Sequence, residues 1–95
     1  MYAVIFKAQV NQLDDDYFAT AKRMRSLAMD NYACLEFTVV SEGGEEVAIS
    51  YWDDLNHIKA WQQNDEHLQA QKRGKDKWYK SYQVQIVEVL REYKS

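Results

Sequence analysis

The order of hydrophobic patterns along the chain predicts an α+β domain of the ferredoxin-like βαββαβ type: a four-stranded antiparallel sheet with both helical segments on one face. Three observations carry this expectation. The first and last patterned segments, residues 2–10 and 82–93, place apolar side chains on both of their faces; a stretch rich in Val, Ile, Phe and Tyr folds back on itself around Gly43 and Gly44; and segments of helical period separate these strands. With 95 residues, no internal repeat, no low-complexity tract and no proline, the chain makes a single domain over residues 1–95.

The first strand alternates Tyr2, Val4 and Phe6 with Ala3, Ile5 and Lys7, so a covering layer is needed on both sides, as for a central strand. Asp14 and Asp15 cap a helix in which Phe18, Ala21, Leu27 and Ala28 recur at helical spacing and Lys22, Arg23 and Arg25 point elsewhere; it ends near Met29 or Asp30. Residues 32–41 and 45–52 flank the two glycines as a β-hairpin, because glycine reaches positive φ without steric cost. Leu55, Ile58 and Trp61 follow from an Asp53/Asp54 cap, and residues 65–73 continue the helical segment into Gly74 as its stop. Residues 76–80 are a connection. In the last strand Val84, Ile86 and Leu90 share one face and Val87 and Val89 the other.

Two helical segments cover only one side of such a sheet. The opposite side, carrying Ala3, Ile5, Val87 and Val89 or their alternates, needs a partner layer, and a second copy of the sheet supplies it, so a homodimer is expected.

The net charge of −3 and the scattered cluster Lys72, Arg73, Lys75 and Lys77, interrupted by Gly74 and Asp76, speak against a nucleic-acid partner. No apolar run approaches the ~20 residues of a membrane span, and the start of the chain lacks a basic region and cleavage site, so neither a membrane partner nor a signal peptide is expected and a cytoplasmic location is. Cys34 is the single cysteine, which leaves no intrachain disulfide or cysteine-rich metal cage, and beside Leu35 and Phe37 it reads as a small buried hydrophobe. Ser50 has no neighbours that form a nucleophilic triad. No metal site is expected, because no His, Cys or carboxylate cluster returns to one helix face.

The stretch Ser50-Tyr51-Trp52-Asp53-Asp54-Leu55-Asn56-His57-Ile58-Lys59-Ala60-Trp61, continuing through Glu66-His67-Leu68-Gln69-Ala70-Gln71-Lys72-Arg73-Gly74 to Trp78-Tyr79, resembles the antibiotic biosynthesis monooxygenase family. There a strand ends in Ser-x-Trp, a helix carries a Trp, and a Glu-His pair, a Gly and a Trp-Tyr pair follow. The resemblance implies a dimeric α+β barrel, in a family that includes cofactor-independent oxygenases acting on anthrones and quinols and haem-degrading enzymes, and many members without an established reaction. The haem-degrading branch places an Asn on the first strand and a Trp and a His after the third. Here Trp61 matches, residues 2–10 hold no Asn, and Gln71 stands where the His belongs, with His67 one helical turn earlier. Haem, and cofactors generally, are therefore not expected.

Trp61 and His67 are the candidate catalytic residues, an indole to stack on a planar substrate and an imidazole to take its proton. Phe6, Trp52, His57, Gln71 and Trp78 are the candidate substrate-binding residues. Each has a structural alternative: Trp61 as a core anchor, His57 as a solvent-facing side chain, His67 as a satisfied surface or interface histidine, and Trp52 with Trp78 and Tyr79 as aromatic packing at the dimer seam. Two functions stay open. One is a cofactor-independent monooxygenase acting on a small aromatic or quinol-like ligand; the other is a non-catalytic small-ligand-binding or stress-related barrel. A polar group such as His67 or His57 projecting into the cavity with a perturbed pKa distinguishes them.

Overall fold

A computed structural model describes residues 1–95 and contains β1 (Tyr2–Val10), α1 (Asp15–Asn31), β2 (Glu36–Glu42), β3 (Glu45–Trp52), α2 (Leu55–Gln62), α3 (Asp65–Arg73), a π-helical turn (Gly74–Trp78) and β4 (Tyr79–Glu88). The sheet has the order β2-β3-β1-β4 and every pairing is antiparallel, the arrangement expected of a split βαβ pattern.

The pairing register sorts the side chains. Tyr2, Val4, Phe6 and Ala8 lie opposite Trp52, Ser50, Ala48 and Glu46 on β3, and opposite Glu88, Ile86, Val84 and Tyr82 on β4. These positions share the face that the helices cover. The alternates Ala3, Ile5, Thr38, Val40, Ile49, Tyr51 and Val87 share the other face.

Each helix begins where a side chain satisfies its free N–H groups. Asp14 Oδ1 accepts from the Tyr17 N–H at 2.8 Å, Asp54 Oδ1 from the Asn56 N–H at 2.7 Å, and Asn64 Oδ1 from the Glu66 N–H at 2.8 Å. The Asn64 cap separates α2 from α3. The main core joins Val4, Leu27, Ala28, Cys34, Trp52, Ile58 and Trp61.

Four expectations are corrected. Residues 32–35 are not strand: Ala33 has φ 60°, and the Cys34 N–H returns to the Ala28 carbonyl at 3.1 Å, so the chain turns tightly off α1 before β2 begins at Glu36. Gly74 does not stop the helix, since its φ of −58° and ψ of −48° are right-handed helical and the backbone runs on as the π turn through residues 76–78. The last strand begins at Tyr79 and ends at Glu88, which leaves Val89 and Leu90 outside it. Trp52 and Trp78 do not meet: Trp52 packs on Trp61 with ring centroids 5.3 Å apart, Trp78 packs on Tyr17 at 5.3 Å, and both are buried within the single chain rather than at a seam.

Candidate functional site

A cavity of about 160 Å³ lies between the helix-covered face of the sheet and α1, α2, α3 and the π turn, lined mostly by apolar and aromatic side chains. Its polar groups come from the helices on one side and the sheet on the other.

On the helical side stand Trp61, near the end of α2, and His67, in the first turn of α3. The Asn64 cap that starts α3 sets their relation: its Oδ1 accepts from the His67 backbone N–H at 3.4 Å, and its side-chain amide donates to the Tyr32 hydroxyl at 3.0 Å, tying the cap to the end of α1. The imidazole then meets the indole with centroids 4.2 Å apart. Burial lowers the His67 pKa from 6.5 to about 4, because the cationic form loses water and gains no counter-charge. His67 Nδ1 and Trp61 Nε1 are both buried without a hydrogen-bond partner.

On the sheet side stands Glu46, in phase with Ala48, Ser50 and Trp52 along β3 and so turned inward. Its Oε2 accepts from the Tyr79 hydroxyl at 3.0 Å and its Oε1 has no partner. Burial pushes the Glu46 carboxyl up from its ordinary value, and the Tyr79 hydrogen bond opposes that rise. The Tyr79 hydroxyl is held well above its own ordinary value by burial and by the charge of Glu46. Gly74 explains the placement of Tyr79: a Cβ there would sit 2.9 Å from the Tyr79 ring, so the glycine is required by close approach and not by φ. Phe6 packs against Tyr79 at 5.3 Å and stacks on Tyr82 at 5.8 Å, completing an aromatic wall.

The structure brings Trp61, His67, Phe6, Gln71 and Trp78 to the cavity. Trp78 is fixed by its indole N–H, which donates to Asp14 Oδ1 at 3.1 Å, the same oxygen that caps α1. Trp52 is not at the cavity; it is fully buried behind Trp61, and its indole N–H donates to Ser50 Oγ at 2.9 Å. His57 is exposed on α2, away from the cavity. The sequence reading missed Glu46, Tyr79, Tyr17 and Tyr82. Glu46 was discoverable: of two adjacent acids on a strand one must face inward, and counting back from Trp52 by twos selects Glu46. Nowhere do three or more His, Cys, Asp or Glu side chains gather in a way that holds a metal ion.

A family model described as antibiotic biosynthesis monooxygenase matches residues 1–73. The uncharacterized protein YqjZ of Bacillus subtilis (strain 168) is 39% identical over 92 residues, spanning 96% of this chain and 81% of that protein. Among solved structures, a mutant of SnoaB from Streptomyces nogalater, described as a cofactor-independent oxygenase, superposes with a TM-score of 0.80 at 11% identity, covering 96% of this chain and 94% of the other. A conserved protein from Methanosarcina mazei Go1 gives a TM-score of 0.78 at 14% identity, covering 90% and 89%. At such identities the structural likeness speaks for the fold alone.

Proposed function

The chain belongs to the antibiotic biosynthesis monooxygenase family, and from that membership we propose that it is a cofactor-independent monooxygenase acting on a small aromatic or quinol-like substrate. The observation that carries this reading is the unpartnered His67 imidazole packed edge-on against Trp61 at the wall of an aromatic cavity. Trp61 stacks on the substrate ring and the His67 imidazole takes its acidic proton. The resulting anion is the reductant: a ring carbon bonds to O₂, the peroxide takes the proton back, and water leaves. One oxygen atom ends as the product carbonyl, the other as water together with the two hydrogens lost by the substrate. A buried imidazole suits the return step, because its cation is destabilised and gives the proton up readily.

The residues that the haem-degrading branch uses are not matched here. Gln71 stands where the haem-degrading branch has its His, and β1 holds no Asn. The reading uses no cofactor.

The sheet face bearing Ile5, Ile49, Tyr51 and Val87 supports a homodimer, since Val40 and Val87 on it are 60% and 37% exposed in the single chain. No helix is long and apolar enough to cross a membrane.

Oxygen uptake with a panel of phenols, quinols and anthrones, without added flavin, metal or haem, tests the activity. Consumption with at least one of them is expected, and none with any overturns it. Saturable binding without uptake favours the second reading, a ligand-binding barrel, for which the weak basicity of His67 is the specific observation.

A further inference from the structure

Glu46 places a carboxylate where a cavity-lining strand position otherwise calls for an apolar side chain. It is 3% exposed. Only one of its oxygens is used, by Tyr79, while Oε1 faces no donor. A buried carboxyl oxygen without a partner is costly, and the residue that carries it lines the cavity with Phe6, Tyr79 and Tyr82.

We propose that Glu46 is the specificity-determining residue of this cavity, its free Oε1 accepting the hydroxyl of a single-ring phenolic ligand. The inference rests on the aromatic-substrate reading above and narrows it to a ring that carries a donor. Size supports one ring, because a cavity near 150 Å³ holds benzene and this one is about 160 Å³. Valence supports a hydroxyl over an ammonium: an ammonium brings three donors to a wall with one free carboxylate oxygen, whereas a hydroxyl brings one. The stacked rings of Phe6 and Tyr82 line the cavity on that side, and Trp61 lines it from α2. Burial raises the carboxyl pKa and the Tyr79 donor lowers it, and a second donor from the ligand acts in the same direction as Tyr79. Glu46 thus selects and orients; Tyr79, set by the close approach of its ring to Gly74, holds the carboxylate in place.

Calorimetric titration of the intact protein with 4-ethylphenol and with 4-ethyltoluene, which puts a methyl group where the phenol has its hydroxyl, tests this. The wild type is expected to favour the phenol by about ten- to hundred-fold, the range of a hydrogen bond to a charged group. Glu46→Leu is expected to bring the ratio to within about threefold, and the isosteric Glu46→Gln to an intermediate value, with circular dichroism melts confirming that both fold. A wild-type ratio near one, or a ratio unchanged in Glu46→Leu, overturns the assignment of Glu46 and leaves the cavity reading standing. Failure of both ligands to bind the wild type overturns the cavity reading and this inference with it. Glu46-dependent phenol binding without oxygen uptake supports the inference and removes only the oxygenase chemistry.

Discussion

His67 meets Trp61 edge to face, ring centroids 4.2 Å apart and planes at 64°, across the short break between α2 and α3. The contact shields the imidazole from water without supplying a counter-charge, so His67 is neutral at pH 7. Its proton NMR titration is expected to show a midpoint near 4 and no transition near 6.5. The folded pKa is depressed, so the stability linked to this group is complete above the unfolded value of about 6.5 and is lost as the pH falls toward 4. The loss is on the order of 3 kcal/mol. Urea melts at pH 7.5 and pH 4.5, compared between wild type and His67→Gln, isolate it: the wild type should lose more stability across that interval.

If the chain oxidises an aromatic substrate, His67 and Trp61 separate kinetically. His67→Ala is expected to lower kcat by about 10²–10⁴, the usual worth of a positioned proton acceptor. Trp61→Phe is expected mainly to raise KM by weakening stacking. Full turnover in His67→Ala would move the base elsewhere, Glu46 being the other buried proton acceptor on the cavity wall.

Gly74→Ala forces the Tyr79 ring to move, since the new Cβ lies 2.9 Å from it. A loss of about 1–3 kcal/mol in denaturant melts is expected, the range for overpacking. The same substitution in a Tyr79→Leu background should cost clearly less. Equal costs in both backgrounds would show that the glycine serves the π turn and not the ring.

Ser50→Ala leaves the fully buried Trp52 indole N–H without its acceptor. About 1–3 kcal/mol of stability should be lost, read by chemical denaturation, with little change at the cavity because Trp52 sits behind Trp61.

Sedimentation equilibrium at micromolar concentration is expected to give twice the chain's 11.3 kDa, and Ile49→Glu, a charge on the uncovered sheet face, to give the monomer mass. A wild-type monomer would overturn the paired-sheet arrangement.

The parts of the fold legible in the sequence are those set by local chemistry. Gly43 and Gly44, with φ of 59° and 79°, form the hairpin that their backbone freedom predicts, and alternation along Tyr2–Val10 identifies a central strand. Elsewhere a contact distant in sequence decides. Ala33 reads as strand by its neighbours, yet the chain turns there to bury Cys34 against Leu27 and Ala28. Gly74 reads as a helix end, yet its bareness serves the ring of Tyr79, five residues on. At the cavity, Trp61 was legible from the family pattern and His67 from its imidazole chemistry, whereas the Glu46–Tyr79 pair joins residues 33 apart that only the pairing of β3, β1 and β4 brings together.

The sheet order also sets a schedule for folding. β1 leaves the ribosome before β2, β3 and β4, yet it lies between β3 and β4, so one of its edges stays open until β4 is made. Asp14 waits as well, because the oxygen that caps α1 is shared with the indole of Trp78. The nascent chain therefore carries a two-sided apolar strand with one edge open until β4 is made. Closure depends on contacts between its ends, which makes a slow-folding topology whose hazard is strand-to-strand aggregation before residue 79 emerges.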